Sequence, residues 1–457
     1  MRDFAQSVRT KEVGDIKIRR LLLTLAAFAL LTLFSSCFCI TTDDLYSLPE
    51  ASDEYVNLQA KLNEIINTGA EYLPPESGPN RQSVQLKDID GDGINEAIVF
   101  FYAPWVDKPL KIHIYKNVQG DYELADVIEG NGAAIDSVRY LDMDGDGVLE
   151  LAVGWKMSPS LKHMALYSMK GFEHIQIADA DYSALASGDL HGNNKNNLIV
   201  ISLPSADTPG QLQVISMMDD GEVVKNSAEL PNDVASVSNL VTGFMADSAP
   251  AIFLDCKDAD GFMSTYMYPC TADGLKNITA DLGEASSVRE RTASMDINKD
   301  GVVEIPFPRA LPQQSDTTYY VIDWYAFDSV GNHGLTLTTY HNYTDGWYLI
   351  LPDNWYDQVS IRREASVSGE RSIIFSFIVS GNSDVTHYDF LKVYALSGAG
   401  REDRSKLPGR FVLSSDSDTI YVAELRAQAN SFGITFSQQY VQTNFGIIYS
   451  DWMSGVM

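Results

Sequence analysis

Asp88-Ile89-Asp90-Gly91-Asp92-Gly93-Ile94-Asn95-Glu96 runs straight into Ala97-Ile98-Val99-Phe100-Phe101-Tyr102. The nonapeptide crowds four carboxylates into one turn, at positions 1, 3, 5 and 9, with glycine at 6. Like charges so close repel unless a cation sits among them, and oxygen ligands at flexible angles suit Ca²⁺ better than Mg²⁺. The design recurs as Asp142-Met143-Asp144-Gly145-Asp146-Gly147-Val148-Leu149-Glu150 and as Asp296-Ile297-Asn298-Lys299-Asp300-Gly301-Val302-Val303-Glu304. The expected ligands are therefore Asp88, Asp90, Asp92 and Glu96; Asp142, Asp144, Asp146 and Glu150; and Asp296, Asn298, Asp300 and Glu304. The backbone carbonyls of Ile94, Val148 and Val302 are expected to complete each shell.

These loops are not EF-hands. An EF-hand places its bidentate acid at position 12 between helices. Position 12 here is Val99, Val153 or Phe307, and the flanks are β-branched and aromatic runs that read as buried strands. The loop joins two strands. Up to three structural Ca²⁺ ions are predicted, with the copy beginning at Asp296 the weakest because Asn298 replaces an acid.

The outermost copies start 208 residues apart, four intervals averaging 52. An eroded copy, Asp189-Leu-His191-Gly-Asn193-Asn-Lys-Asn-Asn197, precedes Leu198–Ser202, and a nearly erased one lies at Gly243 to Pro250. A period near 50 with several short strands per unit is that of a propeller blade. The fold expected is mainly β: a propeller of about five blades over 83–343, then a small α+β domain over 344–457. The loops resemble FG-GAP/VCBS repeats and the calcium-binding blades of integrin α-subunit propellers. The whole chain resembles a VCBS-repeat lipoprotein of Gram-positive bacteria, and that resemblance implies calcium at the three intact copies.

Residues 1–40 read as a signal, lipoprotein or membrane-anchor segment. Lys11, Lys17, Arg19 and Arg20 precede an apolar run from Leu21. Phe34-Ser35-Ser36-Cys37 resembles a lipobox, which implies lipidation at Cys37. The alternative is an uncleaved anchor. Both place the folded part outside the cytoplasm, at the cell membrane. Residues 41–82 are expected to be a tether and an amphipathic helix, Tyr55 to Asn67, with Leu58, Leu62, Ile65 and Ile66 on one side. Cys256 and Cys270 are compatible with a disulfide or with two free thiols.

With 33 basic and 62 acidic residues, the chain carries a net charge of −29. Such a surface repels phosphate backbones, so nucleic acid is excluded as a partner. Beyond 343, strands are predicted at Gln358–Arg362, Ser372–Phe377, Leu391–Tyr394 and Thr419–Ala423, and a closing helix at Thr435–Tyr449. Trp347 and Trp355 suit either a sugar-stacking surface or a buried core. No zinc helix, nucleophile elbow or phosphate loop is present, and no catalytic residue is assigned. The function predicted is a monomeric, membrane-tethered binding, adhesion or scaffold module for a surface protein or glycan. The alternative is a secreted polysaccharide-active enzyme, a lyase or hydrolase, with its site at the propeller channel.

Overall fold

The second strands explain the architecture. Glu96–Tyr102, Glu150–Lys156, Asn197–Ser202 and Pro250–Lys257 are buried along almost their whole length. A strand shows alternate side chains to opposite faces, so an unbroken apolar run needs cover on both. In Glu150–Lys156, Leu151, Val153 and Trp155 join one core cluster while Ala152 joins the next. In Asn197–Ser202, Leu198 and Val200 face back while Ile199 and Ile201 face forward. In Pro250–Lys257, Ile252 and Leu254 face back, and Ala251 and Phe253 forward.

The structure, a computed structural model, describes residues 53–272, 274–279, 292–313, 316–355, 358–367, 369–380, 385–426 and 437–448. It is mainly β, and its antiparallel sheets follow one another along the chain. The first sheet spans 71–130, the second 134–182, the third 184–229, the fourth 236–279, and the fifth 304–351 with Phe445–Ile447 added. The sixth spans 359–425. Each shares a core cluster with the next: first and second through Phe100, Ile112 and Val153; fourth and fifth through Phe253 and Ile305; fifth and sixth through Val321, Leu349, Phe375 and Val393. In the third sheet the fourth strand, Val223–Glu229, is largely exposed and forms an edge.

The chain divides into compact units at 1–63 and 64–457. The expected helix is present as Asp53–Asn67, with Leu58 and Leu62 buried. The leader, Cys37 and tether residues 41–52 lie outside the described residues. Among those described, no helix is long and apolar enough to cross a membrane.

Two expectations for the carboxy-terminal part are corrected. The boundary at 343/344 falls inside the fifth sheet, because His333–Asn342 pairs with Trp347–Leu351 across it. The region beyond is chiefly another antiparallel sheet, containing Val359–Val367, Glu370–Ser380, Val385–Ser397 and Thr419–Leu425. The predicted closing helix is shorter. Gln438–Asn444 is helical, with the Ser437 hydroxyl accepting from the Tyr440 N–H at 3.1 Å. Phe445–Ile447 is extended because it pairs with Trp347–Leu349; Thr435, Phe436 and Tyr449 lie outside the described residues. Trp347 and Trp355 are buried, at 1% and 2% exposure, so both are core residues and not a sugar platform.

Asp345 fastens the fifth sheet to the sixth. Its buried carboxylate accepts from Asn342 Nδ2 at 2.8 Å and Arg363 Nη2 at 3.1 Å, and also pairs with Arg371; its carbonyl accepts from Tyr421 Oη at 2.8 Å. Removing one side of a buried pair strands the other, although both arginines are over a third exposed, which softens the loss. Asp345→Ala is expected to cost about 2 kcal/mol, read by denaturant unfolding; a change below experimental error would show that the apolar interface holds these sheets without it.

His341, at 7% exposure, packs beside Trp324, Tyr343 and Tyr348. Burial pushes its imidazole down from 6.5 to about 3. The unfolded chain takes up a proton near 6.5 and the folded one does not, so this site's stability contribution is complete above that pH and is lost progressively toward 3. His341→Gln should flatten the fall in melting temperature between pH 6.5 and 4 relative to wild type. An unchanged slope would assign acid sensitivity to other groups.

Candidate metal centres

Three of the recognisable loops follow the strands Val84–Lys87, Ala134–Leu141 and Ala184–Gly188, the loop at Asp296 follows the isolated bridge of Met295 with Glu304, and in all four a strand begins at position nine: Glu96, Glu150, Asn197 and Glu304. That residue is buried in every case. One of its side-chain oxygens accepts the N–H of position two: Ile89 to Glu96 Oε2 at 3.0 Å, Met143 to Glu150 Oε2 at 3.0 Å, Leu190 to Asn197 Oδ1 at 3.3 Å and Ile297 to Glu304 Oε2 at 3.2 Å. Position nine thus ties the loop's entry to a rigid buried strand.

The aspartates order the rest of the turn. Asp88 accepts from the amides of Gly91 (2.8 Å) and Gly93 (2.9 Å), and Asp142 from those of Gly145 (2.7 Å) and Gly147 (3.2 Å). The position-seven amides of Ile94, Val148 and Val302 donate to Asp92, Asp146 and Asp300. Positions four and six both take left-handed backbone angles in all four loops. Position four is Gly91, Gly145, Gly192 or Lys299, and position six is Gly93, Gly147, Asn194 or Gly301. The sequence showed the need for glycine at six and missed it at four, because Lys299 breaks the pattern.

The second oxygen of position nine separates the copies. Glu96 Oε1 and Glu150 Oε1 are buried without a hydrogen-bond partner, which is costly unless something positive reaches them. In the eroded third copy the corresponding atom is Asn197 Nδ2, which donates to Ser216 Oγ at 2.9 Å. In the copy beginning at Asp296, Glu304 Oε1 accepts from Asn298 Nδ2 at 3.4 Å. Burial and the neighbouring Asp90, Asp92 and Asp88 raise the Glu96 carboxyl above its usual range. Burial, with Asp144 and Asp146, pushes Glu150 up to about 7; burial, with Asp300 and Asp296, does the same to Glu304.

The carboxylates converge where the sequence expects, though not every one in every loop. Asp88, Asp90 and Glu96 bring oxygens within 4.8 Å of one another, as do Asp142, Asp144 and Asp146. Asp92 and Glu150 lie outside these tightest groups. Among the described residues, no such three-acid group forms at Asp296, Asp300 and Glu304, where the amide of Asn298 lies between Asp300 and Glu304. The first two loops therefore suit a hard cation: clustered acids, a turn pinned from both ends, and one buried oxygen left over.

Loops of successive sheets are also riveted together. The position-eight amide donates to a carbonyl of the preceding sheet's loop region: Leu149 to Ile89 at 2.8 Å, Asn196 to Asp142 at 2.7 Å, and Val303 to Phe244 at 3.0 Å. A Cβ at Gly91 would lie 2.8 Å from Gly147 O, while one at Gly93 meets nothing within 4 Å. Both have positive φ. Gly91→Ala should therefore lower the melting temperature more than Gly93→Ala does, and equal losses would argue against the loop-to-loop contact.

Cys256 and Cys270 are free thiols. In the hairpin Cys256 stands opposite Ser264, six residues from Cys270, a separation of roughly 20 Å along a strand that no disulfide spans. Burial raises both thiols, to about 12 and about 11.

No family profile matches the chain, and no curated protein sequence does. Among solved structures, "The crystal structure of a functionally unknown protein from Desulfotomaculum acetoxidans DSM 771" is similar over 67% of this chain and 89% of its own, with 12% identity and a TM-score of 0.30. A likeness that distant carries no argument about site or function.

Proposed function

We propose that this chain is a calcium-binding β-propeller scaffold of the FG-GAP/VCBS kind. In this reading it is held at the outer face of a cell membrane by its amino-terminal segment, by lipid at Cys37 or as an uncleaved anchor. It serves as a binding or adhesion module for a surface protein or glycan. The six successive sheets are the blades, one more than the repeat spacing suggested. The single observation that supports the metal reading most is the pair of buried, unpartnered oxygens, Glu96 Oε1 and Glu150 Oε1, beside converging aspartates. Calcium among them would neutralise the acids and join the turn to the second strand. The carbonyls of Ile94, Val148 and Val302 would complete the shells. Plentiful extracellular calcium would fill even weak sites.

A ligand that binds only the folded state stabilises it by about 2.7 kcal/mol at a hundredfold excess over Kd. Calcium is accordingly expected to raise the melting temperature of chelator-treated protein by about 5 °C or more. Glu150→Gln should weaken one binding event at least tenfold in calorimetry. A midpoint identical in calcium and in excess chelator, with no binding heat, would overturn the proposal.

A further inference from the structure

Two lysines reach the acid clusters from the adjacent strand of their own sheets or the turn after it. Lys116 Nζ lies 2.9 Å from Asp90 Oδ2, and Lys170 Nζ lies 3.0 Å from Asp144 Oδ2 and 2.8 Å from Asp146 Oδ2. Each lysine is 26 residues beyond the position-three aspartate that it meets. Each comes from the carboxy-terminal end of the third strand or just past it, after Leu110–Val118 runs back along Glu96–Tyr102 and Lys162–Ser168 along Glu150–Lys156. Two sheets thus place an ammonium on the same carboxylate by the same route.

The third sheet keeps the bridge and reverses its sign. There the loop has lost its acids at positions three, five and nine and carries Lys195, which pairs with Asp219 in the turn after Gln211–Met217. The fifth sheet has no lysine or arginine paired to Asp296, Asp300 or Glu304 among the described ion pairs. The intruding ammonium therefore accompanies the two loops whose acids converge and whose glutamate keeps a free buried oxygen.

We propose that Lys116 and Lys170 are internal competitors for the cation, so that a divalent ion enters the first or second loop by expelling an ammonium. The inference rests on the calcium reading above. Each lysine supplies one positive charge where three loop acids converge, and it occupies an aspartate oxygen that an incoming ion would take. The competitor is built to leave. The Lys116 and Lys170 side chains are 37% and 51% exposed, so water can receive the charge. Lys116 has a second resting place, since its ammonium already stands 4.3 Å from the centroid of the Phe172 ring in the neighbouring sheet. Without metal, the lysine tempers the repulsion among the acids. With metal, it moves to solvent or to that ring. Affinity at these loops is then the difference between two cations, which makes them responsive to changing calcium where an uncontested cage would stay filled.

The test uses the full chain, stripped with chelator and titrated with CaCl2 by calorimetry, in wild type, Lys116→Met, Lys170→Met and the charge-keeping Lys116→Arg. Each Met variant is expected to tighten one calcium site by about tenfold, the scale of one lost competing ion pair. Each should melt lower than wild type in chelator and gain more from calcium, while Lys116→Arg follows wild type. A purely structural ion pair would lower the melting temperature in both conditions and leave affinity alone. Wild type and Met variants binding calcium equally would overturn the competition and leave the calcium reading standing. Binding heat absent from every protein would remove both.

Discussion

Position nine performs two tasks with two oxygens, and the rest of the arrangement depends on that division. One oxygen of Glu96, Glu150 or Glu304 is committed to the amide of position two, so the carboxylate cannot swing away from its loop. Because Glu96 and Glu150 also begin strands buried along almost their whole length, their positions are fixed by packing. The other oxygen decides what each loop can hold. Unpartnered in the first two copies, shared with Asn298 in the fifth sheet and replaced by an amide nitrogen in the third, it grades the loops from an acid turn with a spare buried oxygen to an ordinary polar turn.

The same loops are structural joints. The position-eight amides of three copies reach back to the preceding sheet, so these turns make a partial seam on top of the apolar contacts. The energetic weight lies with those contacts: second strands such as Glu150–Lys156 bury one face against each neighbour, and burial on this scale is the dominant favourable term in folding. The seam sets register where the packing sets stability.

Much of this was legible in the sequence. The spacing of the acids, the apolar runs behind them and the eroded copy at Asp189–Asn197 located five sheets and four of their loops. Asn197 correctly marked the third loop as different. What escaped were features created by pairing. Lys116 and Lys170 stand 26 residues from their aspartates, and only strand lengths and turns reveal that the distance folds back to contact. The sixth sheet has no acid nonapeptide ahead of its strands, so no motif in the sequence set it beside the first five. Tyr440 and Ile447 read as one helix because nothing local shows that Phe445–Ile447 has a strand to pair with. Cys256 and Cys270 looked bridgeable until register set them at opposite ends of a hairpin.

The most direct measurement is anomalous diffraction from crystals grown in calcium, at a wavelength where calcium scatters anomalously. The account predicts density about 2.3–2.6 Å from Glu96 Oε1 and from Glu150 Oε1, with the Lys116 and Lys170 ammonium groups moved off their aspartates. Featureless maps at both glutamates, with the lysines still paired to Asp90 and Asp144, would contradict it.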